Sequence, residues 1–130
     1  MKLNNIINKI NEINPNIIKF IGKFDDNNLK TGYWEEYWLN GIFNSKGNYI
    51  NGEEDGCWEW YYSSGILESK GKYVNGKKDG SWEEYYDGGK LYSKGNYING
   101  NQYGYWEWYY QSGYIMRKGE FKNNTFHENK

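Results

Sequence analysis

Alanine is absent from this chain, and proline, cysteine, histidine and arginine occur once each, as Pro15, Cys57, His127 and Arg117. Each shortage excludes something. Without alanine and with few other strong helix formers, a helical bundle is disfavoured. A single cysteine allows no intrachain disulfide and points to a reducing, intracellular setting. One histidine, in the C-terminal tail, leaves no Cys/His metal cluster and no His-based triad to assemble. Neither charge sign is in excess: 16 basic residues face 17 acidic ones, a formal net charge of −1. That argues against a nucleic-acid surface and against binding to anionic lipid, both of which need clustered Lys and Arg. No apolar run approaches the roughly 20 residues needed to cross a bilayer. The opening MKLNNIINKINEINPN is not a signal peptide, because polar residues interrupt its isoleucines.

Aromatics are abundant instead. They make up 21% of the chain, with 7 Trp and 15 Tyr, a composition that favours strands. The heavy use of Asn, Ile and Lys fits codon bias from an AT-rich genome, bacterial or viral.

The aromatics recur with a period of 24. Trp34, Trp58, Trp82 and Trp106 are in phase, as are Tyr37, Tyr61, Tyr85 and Tyr109. Gly32, Gly56, Gly80 and Gly104 share that phase, and so do Gly47, Gly71, Gly95 and Gly119. Four units follow, Thr31–Glu54, Asp55–Lys78, Asp79–Gln102 and Tyr103–Phe126, together spanning 31–126, with a short tail at 127–130. Each unit predicts a β-hairpin: an aromatic run such as WEWYY, turn residues SSG or DGG, then a run such as ILESKGKYV. An NG-xx-DG stretch leads into the next unit.

A four-residue loop from Asp87 to Lys90 sets Tyr86 against Leu91, Tyr85 against Tyr92, Glu83 against Lys94 and Trp82 against Gly95. The same register pairs Glu35 with Lys46, Glu59 with Lys70 and Glu107 with Lys118. Each Trp is then expected to lie over the glycine opposite it in its own hairpin. One face carries Trp82, Tyr86, Leu91, Gly95 and Tyr97, and the other Glu83, Tyr85, Tyr92, Lys94 and Ile98. A lone hairpin is marginal, so stacked copies must cover one another. Residues 1–16 carry isoleucines at helical spacing and predict a short capping helix. Residues 17–30 hold IIKFIGKF, an echo of a unit's second strand, and a linker. The tail after Phe121 is expected to fray.

The pattern G-x-W-x-x-Y-x-x-x-G followed by K-G-x-Y-x-N-G resembles MORN repeats. It is most similar to the bacterial variant found in YwqK-type antitoxin-like proteins. The resemblance implies an all-β, open antiparallel sheet of stacked hairpins and a binding or scaffolding role without catalysis or cofactors. The chain departs from the common MORN unit in carrying Trp34, Trp58, Trp82 and Trp106 where a glycine is usual, so lipid binding is not carried over. The expected partners are proteins, a second copy of this chain included. Two other roles are an antitoxin-like binder of one specific protein and a structural component of a larger assembly, such as a giant-virus particle.

Other motifs carry little chemistry. GKYVNGKK, Gly71 to Lys78, imitates a phosphate-binding loop but ends in Lys78 where Ser or Thr would hold magnesium. Its glycines belong to the repeat. Cys57 stands where other units have Tyr33, Ser81 and Tyr105, which makes it a space filler. No catalytic, metal or cofactor residue is expected. The Trp34, Trp58, Trp82 and Trp106 column is assigned to the structural core. The row of Tyr37, Tyr61, Tyr85 and Tyr109, sharing its face with the Glu–Lys pairs, is the candidate partner-binding face.

Overall fold

The computed structural model describes residues 17–129. They form one open antiparallel sheet of ten strands in strict sequence order, with no helix among the described residues. The strands are β1 (Ile17–Phe24), β2 (Lys30–Trp38), β3 (Phe43–Ile50), β4 (Glu53–Tyr61), β5 (Leu67–Val74), β6 (Lys77–Tyr85), β7 (Leu91–Ile98), β8 (Asn101–Tyr109), β9 (Ile115–Lys122) and β10 (Thr125–Glu128). The capping helix expected over residues 1–16 lies outside the described residues. The tail is not frayed as expected: Thr125–Glu128 pairs with Lys122–Gly119 as a tenth strand.

Two kinds of turn alternate. Between units, Asn51-Gly52, Asn75-Gly76 and Asn99-Gly100 each close a two-residue turn, with φ of 50–51° at the asparagines and 77–83° at the glycines. Positive φ at both positions defines the type I′ turn, whose twist matches that of paired strands. The NG of each NG-xx-DG stretch is the turn, and the following residues already belong to the next strand.

Within a unit the loop is one residue shorter than expected. Tyr86 N donates to Lys90 O at 2.8 Å and Gly89 N to Tyr86 O at 2.8 Å, which leaves Asp87, Gly88 and Gly89 as a three-residue loop. Gly89 takes a φ of 92°, as the third residue of such a loop requires. Tyr85 consequently pairs with Leu91, not Tyr92. Tyr92 is an unpaired bulge residue, after which Glu84 meets Ser93, Glu83 meets Lys94 and Trp82 meets Gly95 as expected. The face assignment changes with it. Leu91 joins the Tyr85 face, and Tyr92 turns to the Trp82 face, where its ring meets Tyr86 at 5.1 Å.

A single sheet has no second layer to bury a core, so the core is built along one face. Trp34, Trp58, Trp82 and Trp106 are only 1–2% exposed. Tyr49, Tyr73 and Tyr97 stand between them, flanked by Phe24 and Phe121. Neighbouring rings cross at 81–89° with centroids 4.9–6.3 Å apart, in one herringbone from Phe24 to Phe121. Edge-to-face contact is the arrangement the ring quadrupole favours.

Each indole reaches back to the preceding unit, against the expectation that it covers the glycine of its own hairpin. A Cβ added to Gly71 would lie 2.2 Å from the Trp82 ring, and one on Gly47 2.3 Å from Trp58. The same holds for Gly22 under Trp34 and Gly95 under Trp106. The indole N–H of Trp82 donates to Lys72 O at 3.0 Å, and that of Trp58 to Asn48 O at 3.0 Å. A bulge produces this reach: Lys72 alone stands against Asp79, Gly80 and Ser81, between the pairs Gly71–Trp82 and Tyr73–Lys78. Each Trp is thus a bolt from one repeat into the last.

Candidate functional site

The face opposite the indoles carries the tyrosine row. Tyr37, Tyr61, Tyr85 and Tyr109 are all half-buried. Each hydroxyl donates to the carboxylate two residues earlier, on Glu35, Glu59, Glu83 and Glu107 respectively. Residues two apart on a strand share a face, which is why the WExY spacing makes this bond in every unit. The contact and burial together raise the phenols of Tyr37, Tyr61 and Tyr85 above the ordinary tyrosine value. The Tyr37 hydroxyl is pushed up to about 12 by its bond to Glu35, with desolvation adding to it. Tyr85 is also pushed up to about 12, by burial first and then by Glu83. Reciprocally, the hydroxyl of Tyr61 holds the Glu59 carboxyl below its usual range.

Beside the tyrosines runs a ladder of alternating charge. Glu35 is opposite Lys46, Glu59 opposite Lys70, Glu83 opposite Lys94 and Glu107 opposite Lys118, the register expected within each hairpin. The ion pairs close the other way. Lys46 reaches Glu59 at 3.4 Å, Lys70 reaches Glu83 at 3.8 Å and Lys94 reaches Glu107 at 3.6 Å, all between units. Each lysine has a glutamate on both sides and closes on the one in the following unit.

The row is not uniform along its length. Tyr33 and Tyr105 cover the margin of the first and last full units, while the equivalent positions hold the small Cys57 and Ser81 in the two middle units. A depression of about 420 Å³ opens there, walled by Glu59, Lys70, Glu83, Cys57 and Ser81, with Gly71 among the lining residues. By strand alternation Ile50, Val74 and Ile98 point to this same face, and they are 55%, 38% and 47% exposed.

The indole face holds residues that were passed over in the sequence. Trp60 stacks on Trp58 at 5.4 Å and Trp108 on Trp106 at 5.6 Å, whereas the same position is Glu36 or Glu84 in the alternate units. The signal was readable as WEEY alternating with WEWY. Trp38 and Tyr62 also went unassigned, while Tyr86 was placed on the Trp82 face. Their polar tips donate to the backbone carbonyls of Tyr61, Tyr85 and Tyr109, one unit on, at 2.6–3.0 Å. Among the described residues no group of three or more His, Cys, Asp or Glu side chains is arranged to hold a metal ion.

Strands repeating one hairpin in a single layer, bolted unit to unit by aromatic rings, define a repeat protein of the open-sheet kind. The chain belongs to the MORN repeat variant family, whose model matches three consecutive copies at residues 54–75, 78–99 and 102–123, half of the chain. MORN repeats are in general modules that engage proteins or membranes. Among solved structures the chain is similar to one titled "Crystal Structure of TarM", at 13% identity and a TM-score of 0.49. That match covers 98% of this chain and 24% of the other, so the chain spans about a quarter of that protein's length. No curated protein sequence matches.

Proposed function

We propose that this chain is a non-catalytic protein-interaction module that meets its partner with the face carrying Tyr37, Tyr61, Tyr85 and Tyr109. The observation that carries this reading is the row itself. Four rings, each pinned by a carboxylate, flank a charge ladder, with exposed Ile50, Val74 and Ile98 at the margin and a depression at the centre. Rings and exposed aliphatic side chains beside paired charges give the mixed apolar and polar surface of a non-obligate protein interface. Pinned tyrosines also lose little rotamer entropy on binding, which lowers the cost of association. The near-zero net charge favours protein over anionic lipid or nucleic acid. Contact driven by area tolerates salt.

The test is affinity capture from the native source with the wild type and with Tyr61→Ser plus Tyr85→Ser, folding being checked by circular dichroism. Loss of the captured proteins from the folded double variant supports the reading. Retention at full affinity sinks it. The narrower identities, an antitoxin-like binder of one protein or a component of a virus particle, are decided by what the wild type captures.

A further inference from the structure

One opening of the indole face lies where the alternation of Trp and Glu leaves room. In the second and fourth units Trp60 and Trp108 fill the space beside the herringbone by stacking on Trp58 and Trp106. In the first unit Glu36 is buried and closed off by Lys30, whose ammonium sits 2.6 Å from the carboxylate and over the rings of Trp34 and Tyr49. The third unit has the same residues in sequence, Lys78 and Glu84, but a different arrangement. Lys78 lies over Trp82 at 4.3 Å and Tyr97 at 5.1 Å, and among the described residues Glu84 has no lysine or arginine within ion-pair distance. Next to Glu84 a cavity of about 390 Å³ opens, lined by Tyr62, Tyr86 and Tyr92, by Glu68 and Glu84, and by Lys78. Tyr86 and Tyr92 meet edge to face at 71°, with their centroids 5.1 Å apart. The bulge at Tyr92 and the hydrogen bond from the Tyr62 hydroxyl to Tyr85 O hold these rings in place.

We infer that this cavity is a binding site for an alkylammonium group, and specifically for the lysine side chain of a polypeptide. Aromatic rings and an unpaired carboxylate both attract a cation. The first unit shows such a pairing within the chain itself, Lys30 on the Glu36 carboxylate and over Trp34 and Tyr49; the equivalent rings of the third unit, Trp82 and Tyr97, carry Lys78, which leaves Glu84 and the cavity tyrosines to a ligand. The lining is net acidic, with Glu68 and Glu84 against the one Lys78, and the Tyr62 phenol is pushed up by burial and then by the carboxylates of Glu68, Asp87 and Glu84. Those carboxylates separate a lysine from a phosphocholine. The phosphate beside a choline would enter a field of like charge, whereas the backbone flanking a lysine side chain is neutral.

The experiment titrates isotope-labelled wild-type protein with Nα-acetyl-lysine N-methylamide, its neutral norleucine counterpart and phosphocholine, following the amides of Glu84, Tyr86 and Tyr92 by NMR. The lysine probe should bind in the millimolar range and the norleucine probe roughly tenfold more weakly. Glu84→Gln should weaken the lysine probe by about the same factor, and Glu84→Trp should abolish its binding, because the indole fills the space as Trp60 and Trp108 do. Glu84→Trp copies a residue that two units already accommodate, and its fold is checked by circular dichroism. Equal binding of lysine and norleucine probes, no binding of the lysine probe, or undiminished binding by either Glu84 variant overturns the site. Phosphocholine binding as tightly as the lysine probe overturns the choice of a polypeptide ligand. The probes need no partner protein, so the outcome is independent of the tyrosine-face reading.

Discussion

The two faces of this sheet are made from the same residue class and use it in opposite ways. On one face the rings of Trp34, Trp58, Trp82 and Trp106 alternate with tyrosines, are almost fully buried and lie over glycines of the preceding unit. On the other the rings of Tyr37, Tyr61, Tyr85 and Tyr109 stay half-exposed and tie their hydroxyls to glutamates. The contrast follows from what surrounds each ring. An indole above a glycine meets a gap the size of a side chain and fills it. A phenol beside a Glu–Lys ladder meets charges that keep their water. One face therefore supplies cohesion between repeats, and the other supplies a regular surface.

The sharpest way to break that contrast is Trp82→Ala against Tyr85→Ser. Trp82→Ala removes a buried ring and its bond to Lys72 O, and should cost about 3–5 kcal/mol in denaturant titration. Tyr85→Ser should cost about 1 kcal/mol, since the ring is half solvated and its hydrogen bond is replaced by water. Equal losses would erase the distinction between faces.

Gly71→Ala comes next. The added methyl would stand 2.2 Å from the Trp82 ring, which is held by its neighbours and cannot swing aside. Overpacking of this kind costs roughly 1–3 kcal/mol. The same substitution at Gly88, where a Cβ meets nothing within 4 Å, is the control and should cost far less. Similar melting temperatures for the two variants would refute the reach of Trp82 into the preceding unit.

The charge ladder gives a smaller effect. A double-mutant cycle on Lys70 and Glu83 should yield a favourable coupling below about 1 kcal/mol, because exposed pairs are screened. The cycle on Glu83 and Lys94 should yield less, as that lysine closes on Glu107. A larger coupling for Glu83 and Lys94 would return the ion pair to the hairpin.

The smallest signal is spectroscopic. Folded-state pKa values raised for Tyr37 and Tyr85 contribute stability that is complete below the unfolded value near 10 and is lost as pH rises toward about 12. Ultraviolet titration should show Tyr37 and Tyr85 ionising above the ordinary tyrosine value, toward about 12. Ionisation of Tyr37 and Tyr85 at the ordinary tyrosine value in the folded protein would show that the Glu contacts do not form.

Period, hairpins and the register of the Glu and Lys columns were legible because they rest on neighbours along the chain. Alternation sorts side chains between faces, and Asn-Gly demands a turn with positive φ, wherever the strand ends up. The loop length was not legible, for an instructive reason. A loop one residue shorter and a bulge at Tyr92 cancel, so Glu83 meets Lys94 under either arrangement and the charge pattern cannot tell them apart. Only the side chains between bulge and loop, Leu91 and Tyr92, exchange faces.

The remaining features depend on contacts between units. Trp82 has Gly71 on one side and Gly95 on the other, equal by sequence, and the bulge at Asp79–Ser81 carries its ring onto Gly71. Lys70 likewise stands between Glu59 and Glu83 and closes on the second. The opening beside Glu84 arises because a carboxylate stands where adjacent repeats pack an indole, which no single repeat can show. Local chemistry chose the strands, the turns and which residues share a face. Which of two equivalent neighbours a side chain touches was settled by the twist and bulges of the assembled sheet, because in a single layer every ring and charge is placed between two strands at once.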